Sequence, residues 1–110
     1  MENSSLTALA FQHLEPAREA SSGRSAHTVY GGHEHLLRQA LIALIAGESL
    51  EEHDSPGEAT VQVLSGRVRL IGGEHLWEGT VGDLLIVPAE RHSLEAVEDS
   101  AVLLTVALHR

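Results

Sequence analysis

The residues that most constrain this chain are two alternating runs joined by Ser65-Gly66. In ATVQVL, residues 59–64, the odd positions Val61 and Val63 form the apolar set. A period of two is the mark of a strand with one buried face. Ser65-Gly66 is a good two-residue hairpin turn, so Thr60 to Leu64 and Arg67 to Ile71 pair antiparallel across it. The later residues continue the series. Gly72-Gly73 turns into His75 to Glu78, and the segment from Gly79 to Gly82 turns into Asp83 to Val87, which Pro88 closes. His92 to Val97 and Ala101 to Leu108 finish the chain, with Glu98-Asp99 between them. Short strands with turns every eight to twelve residues indicate an antiparallel barrel or sandwich.

Upstream the signals change. Leu6, Leu9, Ala10, His13, Leu14 and Ala17 recur at three- and four-residue spacing, one apolar helical stripe. Ser4 or Ser5 caps its start, and Ser21, Ser22 and Gly23 end it. Pro16 cannot donate to Gln12, which predicts a kink or a second short turn beginning there. The stripe reads as an arm over residues 1–24, packed on a β domain over 25–110 or on a partner subunit. Thr28, Val29 and Tyr30 favour extended structure before Gly31-Gly32 breaks it. The apolar run ending at Ala46 is read as a strand from Leu37 to Ile45, because strands come after it. Residues from Gly47 to the loop at Pro56-Gly57 read as a polar lead-in, with His53 just before the loop.

Bulk properties bound the function. With 110 residues and 43% hydrophobic content the chain makes one domain with a single core, and aromatics are only 3%. A net charge of -9 sets it against phosphate backbones and anionic membranes, so neither nucleic acid nor a membrane is an expected partner. It has no cysteine. Thiolate ligands and disulfides are therefore excluded, which fits a reducing compartment. With no signal-like or spanning segment, the expected location is the cytoplasm.

Facing places two histidines differently. In HSLEAV, residues 92–97, Leu94 and Ala96 are apolar and Ser93 and Glu95 polar, so His92 points inward with the even set. Parity cannot be carried to His53 across Pro56-Gly57, although Ala59 joins Val61 and Val63 on the inner face.

Two motifs run through these strands. Gly47, five residues and His53 are followed by Ser55, Ala59 and Gly66; Gly82, five residues and Pro88 are followed by Glu90 and His92. The chain resembles a small single-domain cupin over about Leu37 to Leu108. In that family's first motif a second His stands at the place of Ser55 and a Glu at the place of Ala59. In the second motif a Gly stands at the place of Glu90, and the His falls one residue later than His92. The resemblance implies an all-β, double-stranded β-helix (jelly-roll) barrel that commonly dimerises, here with a short N-terminal helical arm, and so a homodimer.

In metal-binding members of the family the two His and the Glu of the first motif, with the His of the second, hold a divalent ion such as Fe, Mn, Ni or Zn. Here His53 and His92 survive. A two-His, one-carboxylate set suffices for non-haem iron, and three ligands are usual for catalytic metals. Glu58, beside the lost position, and His33 or His35, which would share a face on a strand, are the candidates for a third ligand. Glu58 faces away from Ala59 if the strand already runs there. Two functions are open: binding of an unidentified small molecule in the barrel mouth by His53 and His92, or a metal-dependent oxygenase or isomerase. Arg38, Arg67 and Arg69 are candidates for an anionic substrate, or for ion pairs between strands. Trp77 reads as a core or dimer anchor.

Overall fold

A computed structural model describes residues 3–53 and 57–108, with 51–53 described by backbone alone. Ser55 and Pro56 thus lie outside the described residues. One helix precedes nine strands: α1 (Leu6–Glu19), β1 (Arg24–Tyr30), β2 (Leu37–Leu44), β3 (Ser49–His53), β4 (Gly57–Ser65), β5 (Arg67–Gly72), β6 (His75–Thr80), β7 (Leu84–Ile86), β8 (His92–Ala96) and β9 (Ser100–Leu108). They form a five-stranded sheet in the order β1-β2-β9-β4-β7 and a four-stranded sheet in the order β3-β8-β5-β6, with every pairing antiparallel. The chain is a jelly-roll barrel of two facing sheets. Among the described residues no helix is long and apolar enough to cross a membrane.

The core lies between the sheets. Val61 and Val63 from β4, Val68 and Leu70 from β5, Leu94 and Ala96 from β8 and Val102 from β9 are all buried in it. Burying one such Val or Leu side chain contributes about 1.5–3 kcal/mol, so this row outweighs any surface contact. A second, smaller cluster lies outside the five-stranded sheet, where Ala10 of α1 packs on Leu41 and Ala101. The apolar stripe of the helix therefore covers the outer face of β2 and β9.

Ser5 caps α1, its hydroxyl accepting the Ala8 N–H at 3.2 Å. The helix continues through Pro16 to Glu19, where the sequence predicts a kink or a second turn. Contacts beyond Pro16 hold it: Ala17 is fully buried, and Arg18 Nε donates to Asp99 Oδ2 at 3.1 Å. The other carboxylate oxygen of Asp99 accepts the Ala46 N–H at 2.9 Å. These bonds, the backbone one first, hold the Asp99 carboxyl below the usual carboxylate range.

One strand, β3, is not legible as a strand in the sequence, and β1 is legible only from Thr28 to Tyr30. β3 contains one aliphatic residue, Leu50, and shows no alternation. β1 is an edge strand whose residues are mostly exposed. Conversely, GGHEH (residues 31–35) is a turn between β1 and β2, so His33 and His35 do not share a strand face.

The β4–β5 turn meets the β8–β9 turn at Gly66, and this junction locks one sheet to the other. Ser100, buried, accepts the Arg67 N–H at 3.0 Å and donates to the Glu98 carbonyl at 2.7 Å. Gly66 has φ +82, and a Cβ there would run into the Asp99 carbonyl oxygen and the Ser100 hydroxyl. Gly66→Ala is expected to lower the unfolding free energy by at least about 2 kcal/mol, from left-handed backbone cost plus overpacking. Urea titration showing a lower midpoint at an unchanged slope would confirm it; an unchanged midpoint would contradict it.

Candidate functional site: an imidazole rung at the barrel mouth

The site is assembled by register. Gly47, with φ +88, turns β2 into β3 and donates its N–H to the Ala96 carbonyl at 2.9 Å, which seats β3 beside β8. Leu50 then stands opposite Leu94. After an irregularity that adds one residue to β3, the Cα of His53 stands opposite that of His92. On the other side of β8, His92 stands opposite Gly72, and Gly72 in turn opposite His75. One rung of the four-stranded sheet thus reads His53, His92, Gly72, His75.

His92 is 7% exposed, and its Nδ1 lies 3.1 Å from the Glu90 carbonyl oxygen. A carbonyl only accepts, so Nδ1 carries the proton, and in the neutral ring Nε2 carries the lone pair. The ring lines an interior cavity of about 30 Å³, whose other walls include Leu50, Val61, Leu70, Val87 and Leu94. That space accommodates a water-sized group and nothing as large as a metabolite. Any sizeable ligand therefore sits above it, at the mouth. Pro88 leans over Gly72, where a Cβ would come within 2.8 Å of its Cγ, so the second-motif turn packs directly on the rung.

The other sequence candidates are placed elsewhere. β4 already runs at Gly57, so Glu58 is exposed on the face opposite Ala59 and points out of the barrel. His33 is exposed in the turn between β1 and β2. His35 is held in the same turn. Its Nδ1 accepts the Gly32 N–H at 3.0 Å, and its ring tilts against Tyr30 at 5.1 Å. Among the described residues no three His, Cys, Asp or Glu side chains group as a metal site. The described motif positions offer an ion one imidazole, His92, beside an apolar Ala59. They do not by themselves fit a metal centre.

Arg67 and Arg69 face outward and bind carboxylates. Arg69 Nε donates to Glu78 Oε1 at 2.9 Å, directly across the strand pair, and Arg67 lies 3.7 Å from the other oxygen. The hydrogen bond from Arg69 holds the Glu78 carboxyl below its ordinary value, and the same bond raises the Arg69 guanidinium. Arg38 Nε donates to the His35 carbonyl at 3.3 Å. The ion-pair reading of Arg67 and Arg69 is the one realised.

The sequence pattern does not single out His75. The available signal is the tight Gly73-Glu74 turn, which pairs Gly72 with His75 and continues the rung that His92 begins. Trp77, two residues on, shares its face, and the two rings lie 5.3 Å apart.

No protein-family model and no curated protein matches the chain. Solved structures do. A cupin superfamily protein from Desulfitobacterium hafniense superposes with a TM-score of 0.77 at 17% identity, over 98% of this chain and 92% of that one. An RmlC-like cupin from Desulfovibrio desulfuricans gives 0.66 at 26% identity, over 76% and 81%. A conserved protein of unknown function from Streptococcus pyogenes gives 0.74 at 26% identity, over 83% and 79%. The chain has the fold of a small cupin-type domain. Its barrel is one shared with many proteins whose activity is not characterised.

Proposed function

We propose that the protein binds a small molecule at the barrel mouth, with His92 and His53 as its polar contacts and no tightly held ion. The observation that carries this reading is His92 itself, a buried imidazole in an otherwise aliphatic pocket, oriented by a backbone carbonyl. An imidazole there costs stability relative to an apolar side chain of similar size, a cost that a functional role would justify. His53 is included because its backbone occupies the same rung. A thermal-shift screen over small hydroxy acids, keto acids, sugars and phenols tests the proposal. A true ligand at 100 times its dissociation constant adds about 2.7 kcal/mol. His92→Ala and His53→Ala should each abolish that shift. Both variants retaining the full shift would refute the assignment.

The second reading is a metal-dependent oxygenase or isomerase, favoured by one point: a His fixed through Nδ1 by a carbonyl presents Nε2 as ligating histidines do. It needs His53 and a third donor that the described residues do not supply. Protein purified after growth with added Fe, Mn, Ni and Zn is expected to carry well under one equivalent of each. A stoichiometric ion that is lost in His92→Ala would reverse the order of the two readings.

The partner is a second copy. Leu84 and Ile86 of β7 are 58% and 68% exposed, and beside them a groove of about 460 Å³ is lined by Thr60, Thr105, Ala107 and Ala89. Among the described residues lining the groove Glu58 is the one charged group, so two strongly acidic chains can meet here with few like charges opposed. Light scattering at micromolar concentration should give the mass of a dimer, and Ile86→Glu that of a monomer. A monomeric wild type would contradict this.

A further inference from the structure

We propose that the stacked pair His13–His27 is a proton-sensitive latch that holds α1 on the barrel and releases it in acid. His13, half-buried on α1, and His27, on the exposed edge strand β1, stack with ring centroids 4.7 Å apart and planes 28° from parallel. Ring lone pairs lie in the ring plane, so two nearly parallel imidazoles send them side by side and do not converge on an ion. The geometry is that of a face-to-face contact, which is favourable while at least one ring is uncharged and repulsive once both are.

Among the described residues no fixed charge offsets that repulsion. His27 stands opposite Leu41, on the face that α1 covers, and Ser25 and Val29 flank it there. On α1 the residues three and four positions from His13 are Leu9, Ala10, Pro16 and Ala17, none of them ionisable. The outward residues of β2 are Leu37, Gln39, Leu41 and Ala43, and β9 contains no ionisable residue at all. Arg24 and Arg38 fall on the other parity of their strands, Tyr30 tilts against His35, and Glu58 stands at the far end of β4 from Leu64, which packs near the helix. Of the remaining charges, Glu15 and Asp99 are both bonded to Arg18, and Glu19 ends the helix. Among the described residues the latch therefore has carboxylates only at the helix end, and none across from the rings.

Imidazoles gain their charge between pH 8 and 5. The Arg18–Asp99 tie outlasts that window, because the Asp99 carboxyl is held below its ordinary range and stays ionised at pH 5. The hinge that remains is thus at Arg18, while the middle of α1 lifts from Leu41 and Ala101.

Amide hydrogen exchange on the full chain tests this. Two unit charges at this separation, even at the dielectric of water, change a docking equilibrium by about fivefold. Protection of α1 amides, corrected for intrinsic rates, should fall by at least that factor from pH 8.0 to 5.0, with β4 and β5 amides unchanged. His27→Gln and His13→Gln each leave one imidazole and should each remove the fall. No fall in the wild type, a fall shared equally by the barrel strands, or a fall that persists in either variant would overturn the proposal. His27 is exposed, so its replacement keeps the test open even if His13→Gln does not fold.

Discussion

The structure depends on β9 finding its place between β2 and β4. Its residues pair with β2 over the whole of that strand and with β4 along its other edge. Near its start it is buried on both faces, by Val102 in the barrel core and by Ala101 beneath α1. A strand covered on both sides shows an almost continuous apolar run, as AVLL does, and that run cannot be satisfied by either neighbour alone. The two partners lie far upstream in the chain. Closing the five-stranded sheet therefore joins segments far apart in the chain, and the mouth, the helix seat and the turn junction at Gly66 are all built on it.

The histidine rung is a consequence of that closure and of backbone register. No local sequence property brings His53, His92 and His75 to one level of the four-stranded sheet. A tight turn at Gly47, one extra residue in β3 and a short turn at Gly73-Glu74 do so together. Because the side-chain period is two, a slip of one residue in β8 would send His92 to solvent and Ser93 into the core. Burial of Leu94 and Ala96 on the same strand prevents the slip. The hydrophobic pattern thus orients a polar residue it does not contain.

This division explains what is legible in the residues alone. The hairpin at Ser65-Gly66, the later strands, the helix cap at Ser5 and the inward setting of His92 come from alternation and turn chemistry, which are local. β3 escapes because one Leu among polar residues carries no period, and its strand state comes from pairing with β8. His33 and His35 read as a strand pair by spacing, but Gly31 and Gly32 make a turn there and the His35 ring bonds the turn's own amide. Glu58 belongs on the opposite face from Ala59, as parity requires once β4 begins at Gly57. His75 stays hidden because its significance lies in what Gly72 faces on either side.

The distribution of positive charge bears on what the mouth can recognise. The chain has no lysine, and its seven cations are arginines. Five of them already hold structural partners: Arg18 the carboxylates of Glu15 and Asp99, Arg24 the Ser49 carbonyl, Arg38 the His35 carbonyl, and Arg67 and Arg69 the carboxylate of Glu78. Arginine suits this use, since its planar fork satisfies several acceptors while remaining charged. The consequence at the mouth is that these five guanidiniums are committed to holding elements together and contribute no fixed charge to the rung. An imidazole aimed into an aliphatic pocket discriminates by hydrogen bonding and shape, and the net negative charge of the protein works against anionic visitors. On the proposed reading, the rung favours a ligand that meets His92 through a hydrogen-bonding group.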